Sequence, residues 1–288
     1  MATTPADRCL IYAHWDVNGF VDPYVLHALR EYRSVAGRII FVTTHYQRPC
    51  RELAELADAV IVRDNSGYDF MSWRAGLETI DVADYAEIVF TNSSMYGPLW
   101  PFEAVFESPT ARDNDLWGMT ISLQHRLHLQ SYFLCMSRNL LTSEFGRNLW
   151  GDIYPMKRKE DCIEAYELTW MSECLAAGFR VGALFDARQH PTVPFEEQRA
   201  NIRSWPLADR RSRRYRRGVN APPYNPTHLQ WKQMLECGAP FVKVDLLRDN
   251  PMHLDTDRIL RWIEDNTAYP VDSIRRHLSR MRRQGYAA

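Results

Sequence analysis

Within the first 92 residues, four short apolar runs alternate with stretches of helical spacing. The runs are CLIYAH (9–14), RIIFVT (38–43), AVIVR (59–63) and EIVFT (87–91). A short apolar run bounded by polar turns predicts a buried strand. Between the runs, Tyr24, Val25, Leu26, Ala28, Leu29 and Tyr32 recur at helical spacing, and 52–56 and 72–80 read as further helices. Alternating strand and helix predicts a parallel sheet covered on both faces. Such sheets bind ligands at the carboxyl ends of their strands. Chemistry is therefore expected in the segments 14–22, 43–49, 64–74 and 92–98.

Further on, 119–122, 132–136 and 181–185 read as three more strands, and 159–177 as one long helix stopped by Gly178. Residues 190–226 contain Pro191, Pro194, Pro206, Pro222, Pro223 and Pro226, the pattern of a linker or excursion. Helix then strand return over 227–247, and 255–285 predicts two short helices. The division expected is 1–190 for the α/β part, with 191–288 as a basic linker and C-terminal helical region.

At 288 residues, 45% apolar and 25% charged, the chain can bury a sizeable core as one large domain or two small ones. That composition excludes a disordered tail, a collagen-like rod and a disulfide-stapled miniprotein. No apolar run reaches the roughly 18–20 residues of a membrane-spanning helix, and Met1 to Arg8 lacks the features of a signal peptide. The six cysteines form no CxxC pair, so they give no zinc signal and fit a reducing compartment. The expectation is a cytoplasmic protein.

Charge divides unevenly. Residues 1–195 carry 17 basic and 25 acidic groups, while 196–288 carry 18 and 11, a shift from −8 to +7. The basic part holds Arg210, Arg211, Arg213, Arg214, Arg216 and Arg217, then Arg275, Arg276, Arg280, Arg282 and Arg283. Three readings stand: a solvated face, peripheral contact with anionic lipid at about 1 kcal/mol per basic residue, or contact with a phosphate. With no nucleic-acid motif in the chain, nucleic acid is not expected as a partner.

Four segments carry candidate chemistry. In VRDNSGYDFMSWRAGL (62–77), Asn65 and Gly67 follow a strand and precede a helix. Gly allows close approach of a ligand, Arg74 adds charge and Trp73 a stacking face; an ordinary loop capped by Asp69 is the alternative. In TNSSMYGP (91–98), Asn92 and Ser94 offer neutral hydrogen-bonding groups, poor ligands for a hard cation. A plain Gly-Pro turn would also explain that stretch. HRLHLQSYFLCM (125–136) places two histidines, His125 and His128, with Gln130 and Ser131 before an apolar strand; a loop whose histidines are merely exposed is the alternative. Glu164 and Glu167, three apart in the long helix, share a face; either would serve as a general base if burial tunes it, or both are solvated charges.

Together these stretches resemble the rhamnan synthesis F family of glycosyltransferases. The resemblance runs through IYAHWDVNGFVDPYVLHALREY, ADAVIVRDNSGYDFMSWRAGL, YAEIVFTNSSMYGPLWP, LQSYFLCMSRNLL and NPTHLQWKQMLECGAPFVKVDLLRDNP, from about residue 9 to 251. It implies an α/β fold class: a GT-A-like (Rossmann-like), mostly parallel sheet flanked by helices, with a helical C-terminal extension. It also implies an inverting transfer of L-rhamnose from dTDP-rhamnose to a cell-surface polysaccharide or O-antigen acceptor, at the inner face of the membrane.

By the same resemblance, Asp16 and Asp22 lie near the base or ribose. Asn65, Gly67 and Asp69 lie near the nucleotide, with Trp73 and Arg74 behind and Asn92 and Ser94 after the fourth strand. Glu167 becomes the general base, with Glu164 as back-up. His125, Gln130 and Ser131 fall near the acceptor, and His228, Trp231 and Lys243 belong to the late part of the pattern. Where the family has Asn-Asp-Ser, this chain has Asn92-Ser93-Ser94, so a divalent cation (Mg or Mn) is in doubt and no metal ligand is assigned. The alternatives are a transferase using another nucleotide-sugar, such as a UDP- or GDP-linked donor, and a non-catalytic sugar-nucleotide-binding subunit.

Overall fold

In the computed structural model, residues 3–45, 50–194, 196–197, 200 and 225–285 are described. The arginine cluster Arg210–Arg217 lies outside them. The main sheet is built from β1 (Arg8–His14), β2 (Arg38–Thr43), β3 (Ala59–Val62), β4 (Glu87–Asn92), β6 (Leu116–Ser122), β7 (His128–Leu129), β8 (Phe133–Ser137) and β9 (Val181–Asp186). Its order is β3-β2-β1-β4-β8-β6-β7, with β9 beside β6. The four strands expected in the first 92 residues run parallel, Leu10 facing Ile39 on one side and Val89 on the other. Pairing then turns antiparallel at β4–β8 and β8–β6, and β9 returns parallel to β6. The class is α/β: a mixed sheet whose parallel half is flanked by helices.

Period-two alternation explains why β1 is apolar throughout. Leu10 and Tyr12 point into one core, with Val25, Leu29 and Tyr32 of the helix Pro23–Arg33. Cys9, Ile11 and Ala13 point into the other, with Phe70 and Trp73 of the helix Tyr68–Leu77. A strand buried on both faces reads as a continuous run rather than an alternation. Gly76 lets the second helix press close, since a Cβ there would stand 2.5 Å from Ile11 Cγ2.

Two helices differ from expectation. The helix expected at 72–80 starts earlier, at Tyr68, because Gly67 takes the left-handed conformation (φ 72°) that turns the chain directly into it. The long helix expected over 159–177 is broken into Lys159–Cys162, a π-helical turn Ile163–Glu167, and Trp170–Ala176. The wide turn, closed by Leu168 N–H to the Ile163 carbonyl at 3.0 Å, separates Glu164 from Glu167. They do not share a face: Glu164 is exposed and Glu167 is turned inward. Gly178, at φ 86°, does end the last piece.

The later chain closes over the sheet's carboxyl edge. A two-residue strand, β10 (Val242–Lys243), pairs antiparallel with β5 (Met95–Tyr96). The helix Val271–Arg283 buries Val271, Ile274, His277, Leu278 and Met281, one amphipathic stripe. Tyr96 Oη and His277 Nδ1 meet at 2.6 Å across that contact. Among the described residues, no helix is long and apolar enough to cross a membrane.

Candidate functional site

A cleft of about 300 Å³ opens above the carboxyl ends of β1 and β4. Its floor comes from the segments after β1, β3 and β4. His14 ends β1, buried, with Nδ1 2.9 Å from Thr43 Oγ1. Burial drives its pKa down to about 4, so it is neutral at pH 7. Trp15 is 40% exposed at the cleft and its backbone N–H reaches Ser93 Oγ.

Asp16 and Asp22 follow, both buried, and both lie on the cleft wall. Asp16 Oδ1 accepts the N–H groups of Asn18 and Phe20 at 2.9 and 3.0 Å. Arg280 donates Nη2 to Asp16 Oδ2 at 2.6 Å and Nε to Asp22 Oδ1 at 3.1 Å, and Nη2 also pairs with Asp22 Oδ2. Burial alone would raise the Asp16 carboxyl, but the Phe20 N–H and Arg280 bonds outweigh it and hold it low. At Asp22 burial prevails over Arg280, and the carboxyl is raised.

After β4, Asn92 Nδ2 donates to Asp69 Oδ2 at 2.9 Å. Asn92 Oδ1 accepts the Ser94 N–H at 3.1 Å and Ser94 Oγ at 2.5 Å. Asn65, Asp69, Asn92 and Ser94 all line the cleft. Asp69 is half-buried on that floor, and burial first, with the Glu167 charge nearby, pushes its pKa up to about 6 against the pull of Lys159 and Asn92.

Three expected donor residues do not face the cleft. Gly67 turns its N–H to the Met156 carbonyl at 2.9 Å. Trp73 is fully buried and gives its indole N–H to the Thr91 carbonyl at 2.9 Å, so it offers no stacking face. Arg74 is spent on Glu78 and on the Gly151 and Ile153 carbonyls.

The opposite residues come from elements that the sequence pattern marks as helix or strand but not as parts of a site. Lys159, Lys243, Asp245, Arg248, His277 and Met281 line the same cleft. Asp245 Oδ1 lies 3.0 Å from His228 Nε2, and Oδ2 3.6 Å from Lys243 Nζ. Burial would raise Asp245, yet the His228 bond and the Lys243 charge hold it down at about 2. Arg248 is bound twice by Asp249, at 2.8 and 2.6 Å, which raises its pKa. The signal for these positions was the late segment 225–251 and the basic last helix, of which only Arg280 bonds both Asp16 and Asp22.

Glu167 is not among the residues lining the cleft, though its charge acts on Asp69 of the floor. Its Oε2 accepts the Ser131 N–H at 3.1 Å and also the Ser131 hydroxyl. Its Oε1 lies 3.8 Å from Nε2 of the buried His128. His128 Nδ1 sits 2.8 Å from the Arg126 carbonyl, which assigns the ring proton to Nδ1 and leaves Nε2 as an acceptor. His125, the histidine singled out from sequence, is exposed with φ 65° on the preceding turn. Gln130 donates Nε2 to Asn225 Oδ1 at 3.1 Å, and its own Oε1 is buried without a partner.

A divalent cation does not fit the residues present. The position of an Asp-x-Asp pair is a neutral Asn92–Ser94 loop whose amide oxygen is already engaged twice. Among the described residues, no group of three or more His, Cys, Asp or Glu is placed to hold a metal ion.

The model of the RgpF family, rhamnan synthesis protein F, matches residues 39–201. Virulence protein VirA of Vibrio anguillarum is 31% identical over 211 residues, 69% of this chain. The chain spans 66% of that relative's length. Among solved structures, a protein from Aquifex aeolicus VF5 is 14% identical with a TM-score of 0.33, covering 57% of this chain and 84% of that one. A glucosyl-3-phosphoglycerate synthase from Mycobacterium tuberculosis, in complex with Mn2+, uridine diphosphate and phosphoglyceric acid, also gives 14% and 0.33, covering 59% and 78%. Those two likenesses are too loose to bear on function.

Proposed function

The chain belongs to the rhamnan synthesis protein F family, and on that premise we propose that it is an inverting glycosyltransferase. The donor is dTDP-rhamnose and the acceptor a hydroxyl of a growing cell-surface polysaccharide or O-antigen. The observation that carries this reading is the Ser131-fixed carboxylate of Glu167, whose charge acts on Asp69 of a cleft lined by Lys159, Lys243 and Arg248. One group takes a proton and the others receive a leaving diphosphate.

In this mechanism the acceptor oxygen attacks the anomeric carbon as the bond to the diphosphate breaks. The acceptor proton passes to Glu167 Oε1, the oxygen that Ser131 does not occupy. Ser131 fixes the carboxylate's direction, which matters because a general base must be aligned as well as close. Trp15 supplies an exposed ring for the base, and the cations neutralise charge as it develops on the leaving group.

Residues 1–190 carry the donor and the base, and 191–288 complete the cleft. The exposed Arg276, Arg282 and Arg283 of the last helix hold the enzyme at an anionic inner membrane face. The test is product formation from dTDP-rhamnose and a rhamnoside acceptor. Glu167→Gln keeps the Ser131 contact and is expected to lower kcat by about 10²–10⁴. Full turnover in that variant removes the base assignment. Stabilisation by UDP or GDP but not dTDP in a thermal-shift screen would reassign the donor.

A further inference from the structure

Four carboxylates line the cleft: Asp16, Asp22, Asp69 and Asp245. Each already has a partner from the protein. Arg280 spans Asp16 and Asp22. Asn92 donates to Asp69, and His228 and Lys243 flank Asp245. Hard divalent cations take oxygen ligands, carboxylates above all, and here every one of the four carboxylates already has a protein partner.

Lys159 differs from the other charged groups. It lines the cleft, is exposed to it, and among the described residues forms no ion pair within 4 Å. It shares the cleft lining with Asp69 and Asp245. Lys243 brings a second ammonium, 3.6 Å from Asp245. Arg248 adds less, because Asp249 neutralises it. Two lysines carry the formal charge of one divalent cation, and an ammonium binds phosphate as a point charge without dedicated geometry.

We propose that Lys159 and Lys243 together hold the diphosphate of the nucleotide donor in place of a divalent cation, so that donor binding needs no metal. This rests on the glycosyltransferase reading above and specifies how that site takes its ligand.

The experiment is calorimetric titration of dTDP into the full chain, once in EDTA and once in Mn2+. The expected Kd values agree within about threefold. In EDTA, Lys159→Gln and Lys243→Gln are each expected to weaken binding about tenfold or more, with Tm unchanged in Lys159→Gln, which breaks no ion pair among the described residues. Binding that tightens more than tenfold on adding Mn2+, or lysine variants that bind as the parent does, overturns the inference while leaving the transferase reading intact. The metal comparison uses the unaltered chain, so it decides even where a variant fails to fold. If dTDP, UDP and GDP all fail to bind in both buffers, the transferase reading falls and this inference with it.

Discussion

Replacing Asp69 by Asn should stabilise the protein at neutral and alkaline pH. Asp69 sits half-buried on the cleft floor, and burial raises its pKa from 3.8 to about 6. A raised carboxyl means that the folded state disfavours the charge. Above both values the group is ionised folded and unfolded, so the full cost is present. As pH falls through about 6 the folded state takes up its proton first and the cost shrinks, and below 3.8 it is gone. Two pKa units at about 1.36 kcal/mol each set a ceiling near 3 kcal/mol. Asn at this position keeps an oxygen for Asn92 Nδ2, so the 2.9 Å hydrogen bond has a counterpart. Partial exposure lowers the expectation to about 1.5–3 kcal/mol. Urea denaturation of parent and variant at pH 8, 6 and 4.5 measures it, and the gap should be widest at pH 8 and close toward pH 4. A gap that is constant with pH, or a variant less stable at pH 8, would refute the assignment of that cost to a charged Asp69.

Arg280→Met leaves Asp16 and Asp22 without their shared cation. Breaking one side of a buried pair costs about 3–5 kcal/mol, and with Asp16 and Asp22 only 6% and 9% exposed the loss in urea should exceed 2 kcal/mol; a loss under 1 would show that the clasp contributes little. Gly76→Ala gains about 0.5–1 kcal/mol of helix propensity but drives a methyl to 2.5 Å from Ile11 Cγ2, and overpacking at about 1–3 kcal/mol wins; a raised Tm would contradict that. Trp15→Ala removes a ring that is 40% exposed, so stability should change by less than about 0.5 kcal/mol while dTDP affinity falls; the reverse pattern would make Trp15 a structural residue.

The strands β1, β2 and β4 were legible because each is a short run buried on both faces, whereas β3, at the sheet edge, reads equally apolar but leaves Val60 and Val62 exposed. The loops at their carboxyl ends were legible for the same reason, and Asp16, Asp22, Asn65, Asp69, Asn92 and Ser94 meet there. Trp73 was misplaced because an aromatic reads alike in a pocket wall and a core, and only the Thr91 carbonyl shows which it is. His128 could not be told from His125 by pattern, since a turn decides which ring is buried. The π turn that parts Glu167 from Glu164 costs the sequence no visible residue. Lys159, Arg248 and His277 enter the cleft through tertiary closure, and no spacing along the chain announces it.

The clasp between Arg280 and Asp16 joins groups 264 positions apart. Until the ribosome has delivered Arg280, the two aspartates have no cation and the cleft lacks a wall. A chain stopped before the helix Val271–Arg283 would lack the cation of both aspartates and the His277 and Met281 part of the cleft wall.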